Sequence, residues 1–241
     1  TPISDGPFRN GSMYLTYTNE GMPIGAFWGY KTDGLIQTQE QLNAVKRADF
    51  QPNAELGDVL FVDTNGDGKL DSSDRCMIGN PIPDIIYGIN MGMAWKGFDL
   101  NLFLQGVTGN KVFDATYRTD VFSGNFPSWM LDRWTGEGTS NKYPILKNGD
   151  ATNWQVSDLY ICDGSYLRVK NLSLGYTLPK QLTQKLSISH LRFYVMAENL
   201  ITWTKYWGFD PEISSGGTSL GVDYGVYPQA RTYTIGVNLS F

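Results

Sequence analysis

The chain is poor in the residues from which most active sites are built. It has one histidine, His190, and two cysteines, Cys76 and Cys162, in 241 residues. A Ser-His-Asp triad or a zinc site would have to rest on His190 alone, which lies in a short turn between Ser189 and Leu191 and reads as a surface residue. The cysteine spacing fits no metal-binding pair and allows either one disulfide in an oxidising compartment or two free thiols. No glycine-rich phosphate loop, nucleophile elbow or Cys-x-x-Cys motif occurs. Glu137 and Glu198 could be posed as an acid/base pair for glycoside chemistry, but nothing sets their separation. Glu198 reads equally well as a strand residue facing a lumen, so the case for an enzyme is weak.

Charge is scarce too. Charged residues make up 18% of the chain and the net charge is -5, with no Lys/Arg cluster, so the electrostatic footprint of a nucleic-acid binder is missing. No apolar run comes near 18 residues, which excludes a transmembrane helix but not a barrel, whose strands alternate. The opening TPISDGPFRN has no basic-then-apolar leader, so an export signal is expected to have been cleaved or to belong to a longer precursor. With 41% hydrophobic residues there is material for one large β domain or two small ones.

What the chain does have is period-two alternation. In RTYTIGVNLSF, residues 231–241, Tyr233, Ile235, Val237, Leu239 and Phe241 share one parity, and Thr232, Thr234, Gly236, Asn238 and Ser240 share the other. The stretch has the length of a tilted strand crossing a bilayer. Ile85, Tyr87, Ile89, Met91, Met93 and Trp95 alternate in the same way. Only Lys96 and Gly97 separate them from Phe98, Leu100, Leu102 and Leu104, which predicts a tight hairpin of two long strands. Tyr166 to Leu178 is a strand whose parity shifts, placing a bulge near Lys170 and Asn171. Leu191 to Glu198 alternates again, and 11–18 and 24–31 read as two further strands. Thr38 to Gln41 has the form of a capping box before a short helix.

These seven strands are joined by connections that run short, long, short, long, as in outer-membrane barrels with short periplasmic turns and long outer loops. A soluble sandwich shows the same alternation but has no reason to put every long loop at one end. The long loops fall at 32–84, 107–165 and 200–230. Trp95, Phe98, Tyr176 and Phe241 stand at strand ends expected to be periplasmic, where interfacial rings are favoured.

Within the first loop, DTNGDGKLDSSD places Asp63, Asn65 and Asp67 at positions one, three and five of an EF-hand-like loop. Gly68 allows the sharp turn, Lys69 would offer its carbonyl, Asp71 could assist, and Asp74 stands where an EF-hand has Glu. Calcium is expected, in a structural role. Among the loop aromatics, Trp129, Trp134, Tyr143, Trp154, Trp203, Tyr206, Trp207 and Tyr227 could stack on sugar rings or on a partner, or could pack the loops onto one another.

Several stretches in order resemble the C-terminal part of SusC/RagA-type TonB-dependent outer-membrane transporters. They are GYKTDGLIQTQEQL, GDVLFVDTNGDGKLDSSDR followed by IGNPIPD, GFDLNLFLQGVTGN, RWTGEGTSNKYP, DGSYLRVKNLSLGYTLP, AENLITWTKYWGFDPE and GVDYGVYPQARTYTIGVNLSF. The resemblance implies an all-β fold, a segment of about seven antiparallel strands from a larger, plugged transmembrane β-barrel with long extracellular loops. It implies location in the bacterial outer membrane and import of oligosaccharides or peptides. The implied partners are a SusD-like surface lipoprotein closing over the outer loops, the TonB complex reached through an N-terminal part, the remainder of the barrel, and lipid. On this resemblance Trp129, Trp134, Trp154, Trp203, Tyr206 and Trp207 are candidates for substrate or lid contact, and Phe241 for a barrel-insertion signal. The competing expectation is a soluble calcium-bearing β-sandwich that binds glycans through its loop aromatics.

Overall fold

The computed structural model describes residues 2–8, 13–116, 126, 128–147, 152–184, 187–213 and 216–241. In chain order its strands are β1 (Ile3–Phe8), β2 (Met13–Thr18), β3 (Ala26–Gly29), β4 (Thr32–Leu35), β5 (Val59–Phe61), β6 (Cys76–Gly79), β7 (Ile85–Trp95), β8 (Phe98–Thr108), β9 (Lys111–Asp114), β10 (Ile161–Asp163), β11 (Tyr166–Thr177), β12 (His190–Glu198), β13 (Thr202–Thr204), β14 (Val222–Asp223) and β15 (Thr232–Ser240). Helix α1 spans Gln39–Arg47 and helix α2 Lys180–Thr183. Two compact units result: Thr1–Ile82, Lys111–Cys162 and Ile213–Gly225 form one, and Pro83–Asn110, Asp163–Glu212 and Val226–Phe241 form the other.

The second unit is one antiparallel sheet in the order β15-β12-β11-β8-β7, with β13 pairing on β11. Lys96 at φ 46° and Gly97 at φ 89° make the β7–β8 turn, the left-handed pair that a two-residue hairpin needs to match strand twist. The bulge expected near Lys170 is present, as a register shift between Val169 and Asn171. It returns Leu172 and Leu174 to the face already set by Val169. β12 pairs with β15 along its whole length, His190 opposite Ser240 through Glu198 opposite Thr232.

The two faces of this sheet differ in chemistry. One carries Ile85, Ile89, Met91, Met93, Leu100, Leu102, Leu104, Leu172, Leu174, Val195, Ile235 and Val237; Met93 is 65% exposed and Ile235 85%. A sandwich would cover such a face with a second sheet about 10 Å away; among the described residues this unit supplies no second sheet against it. Aromatic rows bound the face. At the short-turn end Trp95, Phe98, Tyr176 and Phe193 stand side by side across four strands, with the Phe98 and Tyr176 ring centroids 4.5 Å apart. At the other end Tyr87, Leu167 and Trp203 share a row around Gly106, and Tyr87 Oη donates to the Tyr166 carbonyl at 3.2 Å. Tyr87 and Trp95 are eight residues apart on β7, roughly 26 Å along the strand. At the usual barrel tilt of about 40° that is about 20 Å of depth, close to the apolar band of about 25 Å.

The opposite face carries Asn90, Gly92, Asp99, Asn101, Asn171, Ser173 and Arg192 among Phe103, Tyr194 and Met196. Arg192 on β12 reaches across β11 to Asp99 on β8 with a bidentate pair, Nε to Oδ1 at 2.9 Å and Nη2 to Oδ2 at 2.5 Å. The pair passes over Gly175, where a Cβ would collide with Arg192 Nη2 and Asp99 Oδ1. Tyr194 lies in the same manner over Gly236. Two long connections, 109–165 and 199–231, leave from one end of this sheet, while the turn at Lys96 and the α2 segment close the other.

The first unit departs from expectation. The stretches at 11–18 and 24–31 form β2 and β3, of 6 and 4 residues, too short to cross a bilayer; residues 11 and 12 lie outside the described residues. β2 and β3 sit inside the sheet β1-β2-β3-β6, with Leu15 and Phe27 fully buried. The wall described above therefore has five long strands, not seven. The 32–84 loop holds β4, β5, β6 and α1, whose capping box forms as expected: Thr38 Oγ1 accepts from Gln41 N at 3.2 Å, and Gln41 Oε1 accepts from Thr38 N at 3.1 Å. Part of 107–165 supplies Phe113, Met130, Trp154, Val156 and Tyr160 to a core shared with Leu15, Phe27 and Val222. No disulfide joins Cys76 to Cys162 in the structure.

Candidate functional site

Beyond the last residues of β12 the chain crosses Asn199, at φ 52°, and resumes pairing with β11 as β13. At that end of the polar face Arg168 is only 2% exposed. Its Nε donates to Thr202 Oγ1 at 2.8 Å, Nη1 to Glu212 at 2.8 Å and Nη2 to Asp210 at 2.6 Å. Asp210 Oδ1 also accepts from Glu212 N, and its Oδ2 from Gln229 N at 2.9 Å. Burial by itself would raise the Asp210 carboxyl; the Gln229 and Glu212 N–H groups and Arg168 outweigh it and hold the group below the usual carboxylate range. Lys170 Nζ completes the network on Glu212 at 2.8 Å. The effect is to tie two distant parts of the 199–231 segment, 208–212 and 228–231, to the end of β11. None of these residues was singled out as functional from the sequence; the available signal is a pair of basic residues, Arg168 and Lys170, two positions apart in β11, answered by the acids of FDPE. A cavity of about 570 Å³ adjoins the network, lined in part by Asn199, Thr202, Phe209, Gln229 and Arg231.

In the 63–74 loop the turns required by the motif are made, Gly66 and Gly68 both lying at positive φ. Asp63 Oδ1 accepts from Gly66 N at 2.7 Å and Oδ2 from Gly68 N at 2.8 Å, and the Gly68 N–H is the first cause of a carboxyl held below its ordinary value. Asp67 accepts from Lys69 N, and Asn65 Oδ1 from Asp67 N. Asp71 accepts from Ser73 N, while the fully buried Asp74 accepts from Thr64 N and Asp71 N. Among the described residues no three His, Cys, Asp or Glu side chains are gathered as a metal cluster.

The candidate contact aromatics separate by burial. Trp134 is 8% exposed and Trp154 4%. Trp134 Nε1 donates to Gln37 Oε1 at 3.0 Å inside a core with Leu35, Val59 and Phe61. Tyr206 is buried as well. These three rings pack protein, and the expectation that they meet substrate or a lid is corrected for them. Trp129 is half-buried and stacked on Tyr143 at 4.8 Å. Trp203 and Trp207 are exposed, Trp203 on the apolar face of the sheet and Trp207 on the loop beyond it. Phe241 lies exposed just past β15.

No family model matches the chain. Named proteins and solved structures do. TonB-dependent receptor P3 of Formosa agariphila is 36% identical over 92% of this chain and 22% of its own length. TonB-dependent receptor SusC of Bacteroides thetaiotaomicron is 30% identical over 80% of this chain and 18% of its own. The RagAB peptide importer in its open-open state superposes with a TM-score of 0.70 at 27% identity, covering 94% of this chain and 23% of that one. The chain belongs to the SusC/RagA-type TonB-dependent receptors. It is a segment of an outer-membrane β-barrel and spans about a fifth of the length of the curated relatives it matches. In this receptor the apolar face with its two aromatic rows is the lipid side of the wall and the Asp99–Arg192 face lines the lumen. Short turns in such barrels are periplasmic and long connections extracellular, and the Arg168–Asp210 network stands at the end of the wall from which the long connections leave.

Proposed function

We propose that this receptor segment is part of a TonB-dependent importer that draws oligosaccharides or peptides through the outer membrane, working with a SusD-like surface lipoprotein. The observation that carries the proposal is a wall of strands of 9–12 residues with a lipid-suited face, a polar face and both long connections at the outer end. The names of the relatives support it, SusC and a peptide importer among them. β7 and β15 end the sheet among the described residues, and an unpaired strand edge is not tolerated in hydrocarbon, so further strands of the same barrel are expected to continue the wall on both sides. Phe241 is the expected signal for barrel insertion.

We further propose that the 63–74 loop takes up calcium through Asp63, Asn65, Asp67, Asp71, Asp74 and the Lys69 carbonyl, stiffening an outer loop. Spacing and the Gly68-to-Asp63 hydrogen bond support this; binding must draw the carboxylates together, since they are not clustered.

The import proposal is tested by deleting the gene and measuring uptake of fluorescent oligosaccharides and peptides by intact cells, with and without an uncoupler. Loss of energy-dependent uptake of one class, restored by the intact gene, is expected. Unchanged uptake of both classes would sink the proposal.

A further inference from the structure

The cavity of about 570 Å³ beside the Arg168–Asp210 network has walls that the network itself holds in place. Arg168 on β11 and Thr202 on β13 pair directly, and the 208–211 and 228–231 parts of one long connection face them across the cavity. Arg168 stands opposite Gln105, on the parity of Asp99 and Asn101 in β8. The cavity therefore lies on the lumen-side face, at the end from which the long connections leave.

The groups around it divide into those already satisfied and those still open. Asp210 is fully engaged, Oδ1 by Arg168 Nη2 and Glu212 N, and Oδ2 by Gln229 N. Arg168 and Lys170 balance the charges of Asp210 and Glu212. Against this neutral floor Arg231 is exposed and, among the described residues, has neither an ion pair nor a hydrogen bond. The Gln229 side-chain amide is open in the same sense. Asn199 Nδ2 donates to the Ala230 carbonyl at 3.0 Å and leaves Oδ1 to accept. Thr202 Oγ1 accepts from Arg168 Nε and keeps its O–H to donate. Phe209, 75% exposed, adds an aromatic ring to the lining.

We propose that this cavity is a subsite for one acidic sugar residue of an oligosaccharide, with its carboxylate or sulfate on Arg231, its hydroxyls on Gln229, Asn199 and Thr202, and its ring against Phe209. The proposal rests on the import reading above and narrows its substrate class. The volume falls in the range of small-molecule sites. Arg231 is a surplus cation whose planar fork suits an oxyanion. Hydroxyls donate and accept at once, as do the side-chain amides that meet them, and an exposed ring supplies apolar area with polar edges nearby. A peptide is served less well: strand addition grips an extended chain along a sheet edge, and β13, the strand that lines the cavity, has only three residues.

The test uses the purified full-length receptor in mild detergent, with binding measured to immobilised oligogalacturonate, a sulfated galactan oligosaccharide, maltotriose and an acidic tripeptide. At least one of the two acidic sugars is expected to bind, and which of them binds separates carboxylate from sulfate. Arg231→Gln is expected to weaken that binding roughly tenfold, as for the loss of one charged hydrogen bond, and to remove most of its salt dependence. Phe209→Ala is expected to weaken it as well. Heat-modifiable migration of each variant confirms a folded barrel. Acidic-sugar binding unchanged in folded Arg231→Gln and Phe209→Ala receptors would overturn the proposal. So would binding of maltotriose or of the tripeptide alone, or binding of no probe. Failure of the import reading shows instead in intact cells, as uptake that does not depend on the gene.

Discussion

Arg168 and Asp210, 42 residues apart in the chain, meet at 2.6 Å with both side chains out of water. Breaking such a pair by removing one partner leaves an uncompensated buried charge and costs about 3–5 kcal/mol. That cost should fall on the 199–231 segment, which the pair holds, and not on the strands. In the full-length receptor Arg168→Ala is expected to make 208–231 accessible to protease while the barrel keeps its heat-modifiable migration. Arg168→Lys should rescue little, since one ammonium cannot reproduce the fork that serves Thr202, Glu212 and Asp210 together. Protease resistance unchanged in Arg168→Ala would show that the loop is held by other contacts.

The same pair sets a pH dependence. The Asp210 carboxyl is held below its ordinary value in the folded state, whereas an unfolded aspartate titrates near about 3.9. A depressed carboxylate contributes stability that is fully present above the unfolded value and is lost as pH falls through the folded one. Protection of 199–231 against hydrogen exchange should therefore hold level from neutral pH to about pH 5 and decline only below about pH 4. Asp210→Asn should lower protection at neutral pH and flatten this acid limb. A decline already complete at pH 6 would assign the dependence to another group.

Gly175 is a third point of leverage. A Cβ there meets Arg192 and Asp99, so Gly175→Ala must push their ion pair off the wall toward the lumen. Overpacking of this kind costs about 1–3 kcal/mol, and the partly exposed ion pair adds little to it. A drop of a few degrees in Tm in detergent is expected, and a double variant that also carries Asp99→Ala should recover part of it, because the crowded partner is gone. A fully additive loss would show that the clash is with backbone.

How far the sequence reached is a matter of which forces act locally. The long strands were legible because lipid on one side and water on the other impose a period of two on every turn of the chain, and even the bulge at Lys170 shows as a parity slip. The same alternation at 13–18 belongs to a strand packed in a protein core around Leu15, and alternation does not distinguish hydrocarbon of lipid from hydrocarbon of side chains. Trp134 and Trp203 look alike in sequence; Trp134 is buried by a partner 97 positions away, Gln37, while Trp203 faces outward from a strand edge. The Arg168–Asp210 network was not legible for the same reason, since no local spacing connects residues that only the fold of 199–231 brings together.

Calcium in the 63–74 loop gives the last test. Asp63 already takes two backbone N–H groups and Asp74 two more, yet each carboxylate oxygen has a second lone pair free for a hard cation. Titrating the metal-stripped receptor with calcium chloride should show one saturable heat that Asp63→Ala or Asp67→Ala removes, while the α1 helix and the barrel persist. Magnesium should substitute poorly, because it demands a tighter octahedral shell than this open set of oxygens supplies. Asp74→Glu is informative in the other direction: the longer side chain could bind through both oxygens as in an EF-hand, and affinity should rise only if Asp74 is a ligand. If Asp74→Glu leaves the affinity unchanged while Asp63→Ala abolishes it, Asp74 serves only as the capping-box partner of Asp71 in the Ser72–Asp74 turn. No calcium uptake by the wild-type receptor would remove the metal altogether and leave the loop held by its own backbone hydrogen bonds.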